Sequence, residues 1–209
     1  MHSRSGAAEP RALAPLHIEL PTGDVPANIL QMPYTITDHR HRFGAWAASR
    51  AASVVGCRFT VQQGKIIIQR AGLEELGRDA RCLPDPEQMD SQHRAWRSRV
   101  ITMAATEGLS FTHGVAAKLI NVYLKAVFVC GGQHDHVRVR ALHPPIDSVL
   151  LKELSVRDVG GLRREWNEAR RVRWSKFDSA QYEAVIAAMR RVLGTAPFWT
   201  IEQHWQGYQ

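Results

Sequence analysis

One apolar stretch, running from Gly114 to Val129, constrains the fold of this chain more than any other feature. Its hydrophobic residues recur at steps of three and four and cover most of the circumference of a helix. They are Val115, Leu119, Ile120, Val122, Leu124, Ala126, Phe128 and Val129. A helix that is apolar on most sides is normally buried, so the stretch predicts the central helix of a hydrophobic core. With 209 residues, the chain is long enough to build a sizeable core around it.

A narrow polar stripe interrupts the apolar surface of this helix, and it consists of Lys118, Asn121 and Lys125. A His-rich turn follows, then Pro144-Pro145 enforces an extended backbone, and Asp147 stands where the N-cap of a helix over residues 148–154 belongs. The stretch therefore brings an amine on a mostly buried helix towards a carboxylate at the start of the next helix. A solvated lysine and a plain helix cap are the alternatives, because lysine is usually exposed and aspartate is a preferred N-cap.

The remaining segments are predicted to be helical because their apolar residues keep helical spacing and strand signals are weak. A helix over about residues 37–54 is expected to face Phe43, Trp46 and Ala47 towards the core. N-cap signals mark three further helices, at Thr60, Asp90 and Asp178. The three consecutive isoleucines that follow Thr60 fit a short strand equally well. A short helix around Ile201 is expected to pin the C-terminal segment to the core.

The fold class that follows is mainly α. We expect a compact multi-helix domain over residues 34–209 with little or no sheet. It contains a helix-hairpin-helix element, in which one helix leads through a short hairpin into the central helix. Residues 1–33 are punctuated by Ala, Pro and Gly. They are expected to form a poorly ordered tail in which only a segment around residues 18–20 docks.

The charge balance favours a polyanionic partner. The chain has 27 Lys and Arg against 20 Asp and Glu, with a pI of about 9.8. Its three cysteines are odd in number and widely spaced, which is typical of a reducing compartment. No apolar run approaches the roughly eighteen residues that span a bilayer, and the N-terminus lacks the apolar core of a signal peptide. We therefore expect a cytoplasmic protein that does not bind membranes.

Two segments of the central stretch carry a resemblance. Gly114-Val115-Ala116-Ala117-Lys118, followed by Pro145-Ile146-Asp147-Ser148-Val149, resembles the signature of the helix-hairpin-helix DNA glycosylases. Those enzymes have a hairpin of the form L-x-G-V-G-x-K and a later P-V-D-T-H-like segment. By motif position, Lys118 matches the nucleophile of the bifunctional members and Asp147 the aspartate that assists it. The second lysine, Lys125, and the 29-residue gap from lysine to aspartate are more similar to the archaeal 8-oxoguanine glycosylases than to the endonuclease III type.

The sequence also departs from this family's pattern. The resemblance covers about residues 90–154, and Ala116 stands where the hairpin has its second glycine. No four-cysteine cluster follows, which excludes an iron–sulfur cluster of the endonuclease III kind.

The resemblance implies a DNA glycosylase, with AP lyase as a second activity, that excises a damaged or modified base without a cofactor. Its predicted contacts with DNA are made by Gly114, Asn121, Lys125, Arg163, Arg164, Arg170, Arg171, Arg173 and Lys176. Candidates for stacking on a flipped base are Trp174, Trp166 and Tyr123. The basic residues have a plainer alternative, a solvated helix face.

Two other functions stay open at this point. A binding module of the same fold, such as a subunit of an anti-phage defence system, would use Lys118 only as a phosphate ligand. A zinc-dependent hydrolase or nuclease is suggested by the soft and borderline ligands of the His-rich turn, together with Asp135. The candidate zinc ligands are Cys130, His134, His136 and His143.

Overall fold

The structure, a computed structural model, describes residues 33–207. Within this range the chain forms α1 (Ile36–Ala52), α2 (Val61–Arg70), α3 (Leu73–Leu76), α4 (Met89–Thr106), α5 (His113–Leu124), α6 (Val137–Arg140), α7 (Ser148–Val156), α8 (Arg163–Arg171) and α9 (Ser179–Leu193). Short 3₁₀ helices occupy Ala80–Cys82, Pro86–Gln88, Val159–Gly161, Trp174–Lys176 and Phe198–His204. The described part of the chain contains no strand, which confirms the mainly α fold class. The predicted N-terminal tail, including its docking segment, lies outside the described residues.

The apolar stretch is the central helix of this fold, as predicted. α5 contacts α1, α4 and α9, and its backbone continues as a π-helix over Lys125–Gln133. The helix from His113 to Gln133 has 21 residues and is long and apolar enough, by length and composition, to cross a bilayer. Lys118 and Lys125 interrupt the apolar run within this helix but do not end the helix. Most of this helix is buried inside the protein.

Two hydrophobic clusters meet on α5. One contains Ile67, Trp96 and residues of α1 to α6, and the other contains Trp166 and residues of α7 to α9 with the C-terminal 3₁₀ helix. Ala116 belongs to the first cluster and Ala117 to the second. A side chain that follows them on α5, such as Lys118, therefore lies close to the boundary between the two clusters.

Several local predictions are confirmed. Thr60 and Asp178 each form a capping box. The side chain of the cap accepts from the backbone amide of the glutamine three residues later, and the side chain of that glutamine accepts from the backbone amide of the cap. The isoleucines after Thr60 lie in a helix and not in a strand, because Ile67 and Ile68 are buried on one side of α2. Ile201 is buried, so the C-terminal 3₁₀ helix is pinned as expected.

The predicted inner face of α1 was wrong. Phe43 is 54% exposed and Trp46 is 51% exposed, whereas Ala45 and Ala48 are buried. Ala45 and Ala48 belong to the cluster that includes the core of α5. Small side chains let two helix backbones approach closely, so the alanines and not the large aromatic residues determine which face of α1 packs inward.

Asp90 was also assigned the wrong role. α4 begins at Met89, and its N-cap residue, Gln88, makes no side-chain capping bond. The carboxylate of Asp90 instead pairs with the imidazole of His143 at 2.9 Å and with the guanidinium of Arg190 at 2.7 Å. Residues 107–112 connect α4 to α5, and their identification as the hairpin of a helix-hairpin-helix element stays a prediction.

A buried arginine joins α4 to α9. Arg97 is 1% exposed, its Nη2 donates to Glu183 Oε1 at 2.7 Å, and its guanidinium carbon lies 4.4 Å from the centroid of the Tyr182 ring. Arg94 donates to both oxygens of Glu183, at 2.8 and 2.6 Å. Hydrogen bonds from Arg94, Ser179 and Arg97 lower the pKa of Glu183 from 4.5 to about 2. This carboxylate therefore neutralises a charge that is almost completely buried.

Replacing Glu183 by Gln is expected to lower the free energy of unfolding by about 2 kcal/mol at neutral pH, because Arg97 loses its carboxylate. The depressed pKa means that the carboxylate stabilises the fold fully above pH 4.5 and progressively less as the pH falls towards 2. Urea unfolding across this range measures both effects. Glu165→Gln, which breaks the exposed pair with Arg191, is the control and should change stability by less than about 1 kcal/mol. Equal losses in the two variants would contradict this assignment.

Candidate active site

Lys118 is buried because of where it lies on α5. The helix begins after Thr112, whose hydroxyl accepts from the amide of Val115, so Lys118 falls in the second turn, where the helix enters the core. Only 7% of the residue is exposed. A long amine at such a position needs a partner of opposite charge, since an unpaired buried ammonium is strongly disfavoured.

The partner is Asp147, as the order of the two segments predicted. Lys118 Nζ donates to Asp147 Oδ2 at 3.0 Å, while Asp147 Oδ1 accepts from the amide of Leu150 at 2.9 Å and caps α7. The cap and the partner of the lysine are therefore one side chain, with one oxygen for each role. Trp205 Nε1 donates to the same Oδ2 at 3.1 Å, which fixes the carboxylate from a third direction.

Burial is the main influence on the protonation of Lys118. Desolvation lowers the pKa of this amine, and the neighbouring charge of Lys125 lowers it further. The carboxylates of Asp147 and Glu202 act in the opposite direction, and burial outweighs them. The amine is therefore easier to deprotonate than a solvated lysine, which is the condition for a lysine nucleophile.

A second ion pair, which is half-buried, lies in the same cavity as the first. Lys125 Nζ donates to Glu202 Oε2, and burial raises the pKa of Glu202 while Lys125 opposes that rise. Sequence reasoning missed both Glu202 and Trp205. The apolar spacing around Ile201 predicted a short C-terminal helix, but a pattern of this length does not reveal which residues in or after that helix point towards α5.

A cavity of about 270 Å³ contains both ion pairs. Its polar residues are Lys118, Lys125, Asp147, Glu202 and Cys130, and its apolar wall consists of Phe43, Ala47, Ala51, Val122, Ala126, Pro145 and Trp205. One wall is thus the outer edge of α1, including the exposed ring of Phe43. Another is the junction at which α5 becomes a π-helix, a backbone irregularity that is frequent at functional sites.

A larger groove of about 1050 Å³ lies next to this cavity. Its cationic side chains are Arg58, Lys152, Arg157, Arg170 and Arg173, against a single carboxylate, Glu153. Trp174 lines the groove, and its ring centroid lies 5.5 Å from Lys118 Nζ. The groove is therefore basic, and it approaches the buried amine through the indole of Trp174.

The predicted basic segment is only partly in this groove. Arg170 and Arg173 line it, whereas Arg164 lines a different hollow between α8 and α9. Arg163 pairs with Asp158 and Arg171 with Glu168. Lys176 is exposed beside Gly56. Sequence reasoning missed Arg58, Lys152 and Arg157, because they come from separate segments that only the fold brings together.

Two of the predicted DNA contacts are not available in this structure. Asn121 is 2% exposed and makes three hydrogen bonds inside the protein. The amide of Gly114 donates to the carbonyl of Phe177 at 3.1 Å, so it does not face a phosphate. The glycine at this position serves close packing, since a β-carbon there would lie 1.9 Å from the carbonyl oxygen of Trp174.

The three stacking candidates have different environments. Trp166 is fully buried and donates to the carbonyl of Val159, and Tyr123 is fully buried and contacts His41. Both are core residues and cannot stack on a base. Trp174 is half-buried beside Lys118 and remains the one predicted candidate with access to the groove.

The predicted metal ligands do not converge in the described part of the chain; they are Cys130, His134, His136 and His143. Within residues 33–207, no group of three His, Cys, Asp or Glu side chains is placed to hold a metal ion. His143 is buried and bonds to Asp90 and Tyr182, and His136 caps the short helix α6. His143 and His136, two of the predicted zinc ligands, therefore make other contacts.

No protein-family model, curated protein or solved structure matches this chain.

Asp147→Asn is expected to lower the pKa of Lys118 further, because the carboxylate that favours the ammonium is removed. Asparagine is as good an N-cap as aspartate, so α7 should still form, but the midpoint of thermal unfolding at neutral pH should fall because the buried amine loses its charged partner. The chain has only five lysines, which makes the pH titration of its ¹³C-labelled lysine signals by NMR practical. An unchanged pKa in the folded variant would show that the ion pair does not control this amine.

Gly114→Ala is expected to destabilise the fold by about 1–3 kcal/mol or more, because its β-carbon would overlap the backbone at Trp174. Gly131→Ala is a matched control, since the nearest neighbours of its β-carbon are side-chain atoms of Arg40 at 3.5 Å and beyond. Chemical denaturation compares the two variants. A Gly114→Ala protein as stable as Gly131→Ala would contradict the close approach of these backbones.

Proposed function

We propose that this protein is a DNA glycosylase in which Lys118 is the nucleophile, with AP lyase as its second activity. The observation that carries the proposal is the pair of Lys118 Nζ and Asp147 Oδ2, 3.0 Å apart in a cavity beside a basic groove. The same two residues occupy the motif positions of nucleophile and aspartate in the resemblance to the helix-hairpin-helix glycosylases. The geometry and the motif therefore favour the same pair independently.

The chemistry requires a neutral amine and a carboxylate within reach. A bond forms between Lys118 Nζ and the anomeric carbon C1′ as the bond from C1′ to the base breaks, and the base leaves with the electron pair and takes up a proton. Asp147 stabilises positive charge on the sugar and can receive the proton that the amine loses. Opening of the sugar then gives a Schiff base between Lys118 and C1′. Loss of a proton from C2′ expels the 3′ phosphate, which is the lyase step.

The cavity supports binding of a flipped base. Lys125 and Glu202 provide a hydrogen-bond donor and an acceptor side by side, which suits the polar edge of a nucleobase. Phe43 and Trp205 provide aromatic surface on the apolar wall. The buried amine lies in the same cavity, as an attack on the sugar attached to the base would require.

The groove supports binding of the phosphate backbone. Its five cationic side chains outnumber its single carboxylate, and cationic contacts with phosphate make affinity fall steeply with salt. The groove suits equally a binding module without catalysis, in which Lys118 would be a phosphate ligand. Reductive trapping distinguishes the two functions. The zinc-dependent hydrolase has no supporting arrangement among residues 33–207, and we propose no metal step.

Borohydride trapping on duplexes that contain an abasic site, 8-oxoguanine or uracil tests the proposal. The wild-type protein is expected to form a covalent adduct with at least one duplex, because borohydride reduces the Schiff base to a stable amine. Lys118→Gln should form no adduct, and Lys65→Gln, which changes a lysine on α2 outside the cavity, should trap normally.

Retained DNA binding without an adduct on any of these duplexes would contradict the bifunctional mechanism. That outcome would favour the binding module, or an enzyme that depends on Asp147 alone. An adduct that persists in Lys118→Gln would assign the nucleophile to another amine.

A further inference from the structure

Asn121 uses its whole side chain to join three parts of the fold. Its Nδ2 donates to the carbonyl of Pro144 at 2.9 Å and to the hydroxyl of Tyr182 at 3.0 Å. Its Oδ1 accepts from His93 Nε2 at 2.7 Å. The residue is 2% exposed, so none of these bonds competes with bulk water.

The orientation of the Asn121 side-chain amide is determined by a chain of hydrogen bonds in which each group can only donate in one direction. His143 Nε2 donates to the carboxylate of Asp90 at 2.9 Å, which leaves its Nδ1 as the acceptor for the hydroxyl of Tyr182 at 3.0 Å. Because that hydroxyl donates to His143, its oxygen accepts from Asn121 Nδ2. The NH₂ group of Asn121 must therefore face Tyr182 and Pro144, and its oxygen must face His93.

Burial favours the neutral form of both imidazoles of the network. It lowers the pKa of His143, although Asp90 opposes this, and it lowers the pKa of His93 well below its ordinary value. His143 is faced by Asp90, Arg190 and Arg97. The arrangement of donors and acceptors is thus the same at any pH at which both rings are uncharged.

Asn121 is three residues after Lys118, and Pro144 is three residues before Asp147. The asparagine is thus one turn of α5 away from the amine, and it holds the segment that delivers the carboxylate. The prolines of that segment have no amide hydrogen and cannot anchor it by donating backbone bonds. An amide that grips the carbonyl of Pro144 therefore restricts how far Asp147 can move from Lys118.

We propose that Asn121 is a positioning residue, which sets the distance between Lys118 and Asp147 by fixing the segment from Pro144 to Asp147 against α5. This inference deepens the proposed function, because the distance matters for catalysis only if the pair reacts. Asn121 itself lies outside the groups that line the cavity and does not touch the reacting atoms.

The test measures the pKa of Lys118 by NMR of the ¹³C-lysine-labelled protein in Asn121→Ala and in Tyr182→Phe. Asn121→Ala is expected to shift this pKa downward, in the same direction as Asp147→Asn, because the carboxylate is released from the amine. Tyr182→Phe removes buried hydrogen bonds but keeps the bond to Pro144, and it should leave the pKa close to that of the wild type. Equal shifts in both variants, or no shift in either, would overturn the proposal.

A second measurement serves if Asn121→Ala does not fold. The chain has three asparagines, and ¹⁵N-asparagine labelling reports the hydrogen exchange of each side-chain NH₂ group in the wild type. The NH₂ of Asn121 should exchange far more slowly than that of the exposed Asn167. Exchange as fast as that of Asn167 would overturn the proposal.

Neither measurement requires DNA, so the outcome does not depend on the glycosylase activity. If the wild-type protein forms an adduct with DNA, the pH–rate profile of adduct formation by Asn121→Ala should be displaced in the same direction as the pKa of Lys118. A downward pKa shift without any trapping in the wild type would support the positioning role and count against the proposed function.

Discussion

The arrangement of this protein depends on the desolvation of one amine. Lys118 is buried on α5, the helix on which two hydrophobic clusters meet, and an unpaired ammonium would be strongly disfavoured there. The fold therefore has to deliver Asp147 to the amine, and Asp147 in turn needs a fixed backbone and a further donor. Trp205, which directly follows the C-terminal 3₁₀ helix, supplies that donor. The buried charge of Lys118 thus brings together Asp147 and Trp205, which are far from it in the chain.

Several polar groups around this amine and in the neighbouring hydrogen-bond network have more than one role. Asp147 caps α7 with one oxygen and binds Lys118 and Trp205 with the other. Asn121 bonds to three separate parts of the fold, and Asp90 ends the chain of hydrogen bonds that orients it. A polar network in which most members are satisfied is rigid, because moving any one group leaves its partners unsatisfied. Such rigidity suits a site that has to hold an amine and a carboxylate at a fixed distance.

The sequence predicted the central helix, its polar stripe and the aspartate that meets it, because each follows from spacing along the chain. The sequence-based prediction failed where the outcome depends on which residues of one segment pack against another segment. The aromatic residues Phe43 and Trp46 were expected to point inward, but the closest packing against α5 uses the alanines of α1. Asp90 is a residue type that commonly caps helices, but its carboxylate pairs with the buried His143 instead.

By itself the sequence determined that the chain is mainly helical, that its apolar helix is central, and that Lys118 and Asp147 lie near the starts of successive long elements. Periodicity and capping are local, so they can be read from neighbouring residues. Only the tertiary structure decided that Glu202 and Trp205 complete the cavity and that the basic groove draws on separate segments. Those contacts join residues far apart in the chain, and their geometry depends on how the helices pack rather than on any local pattern.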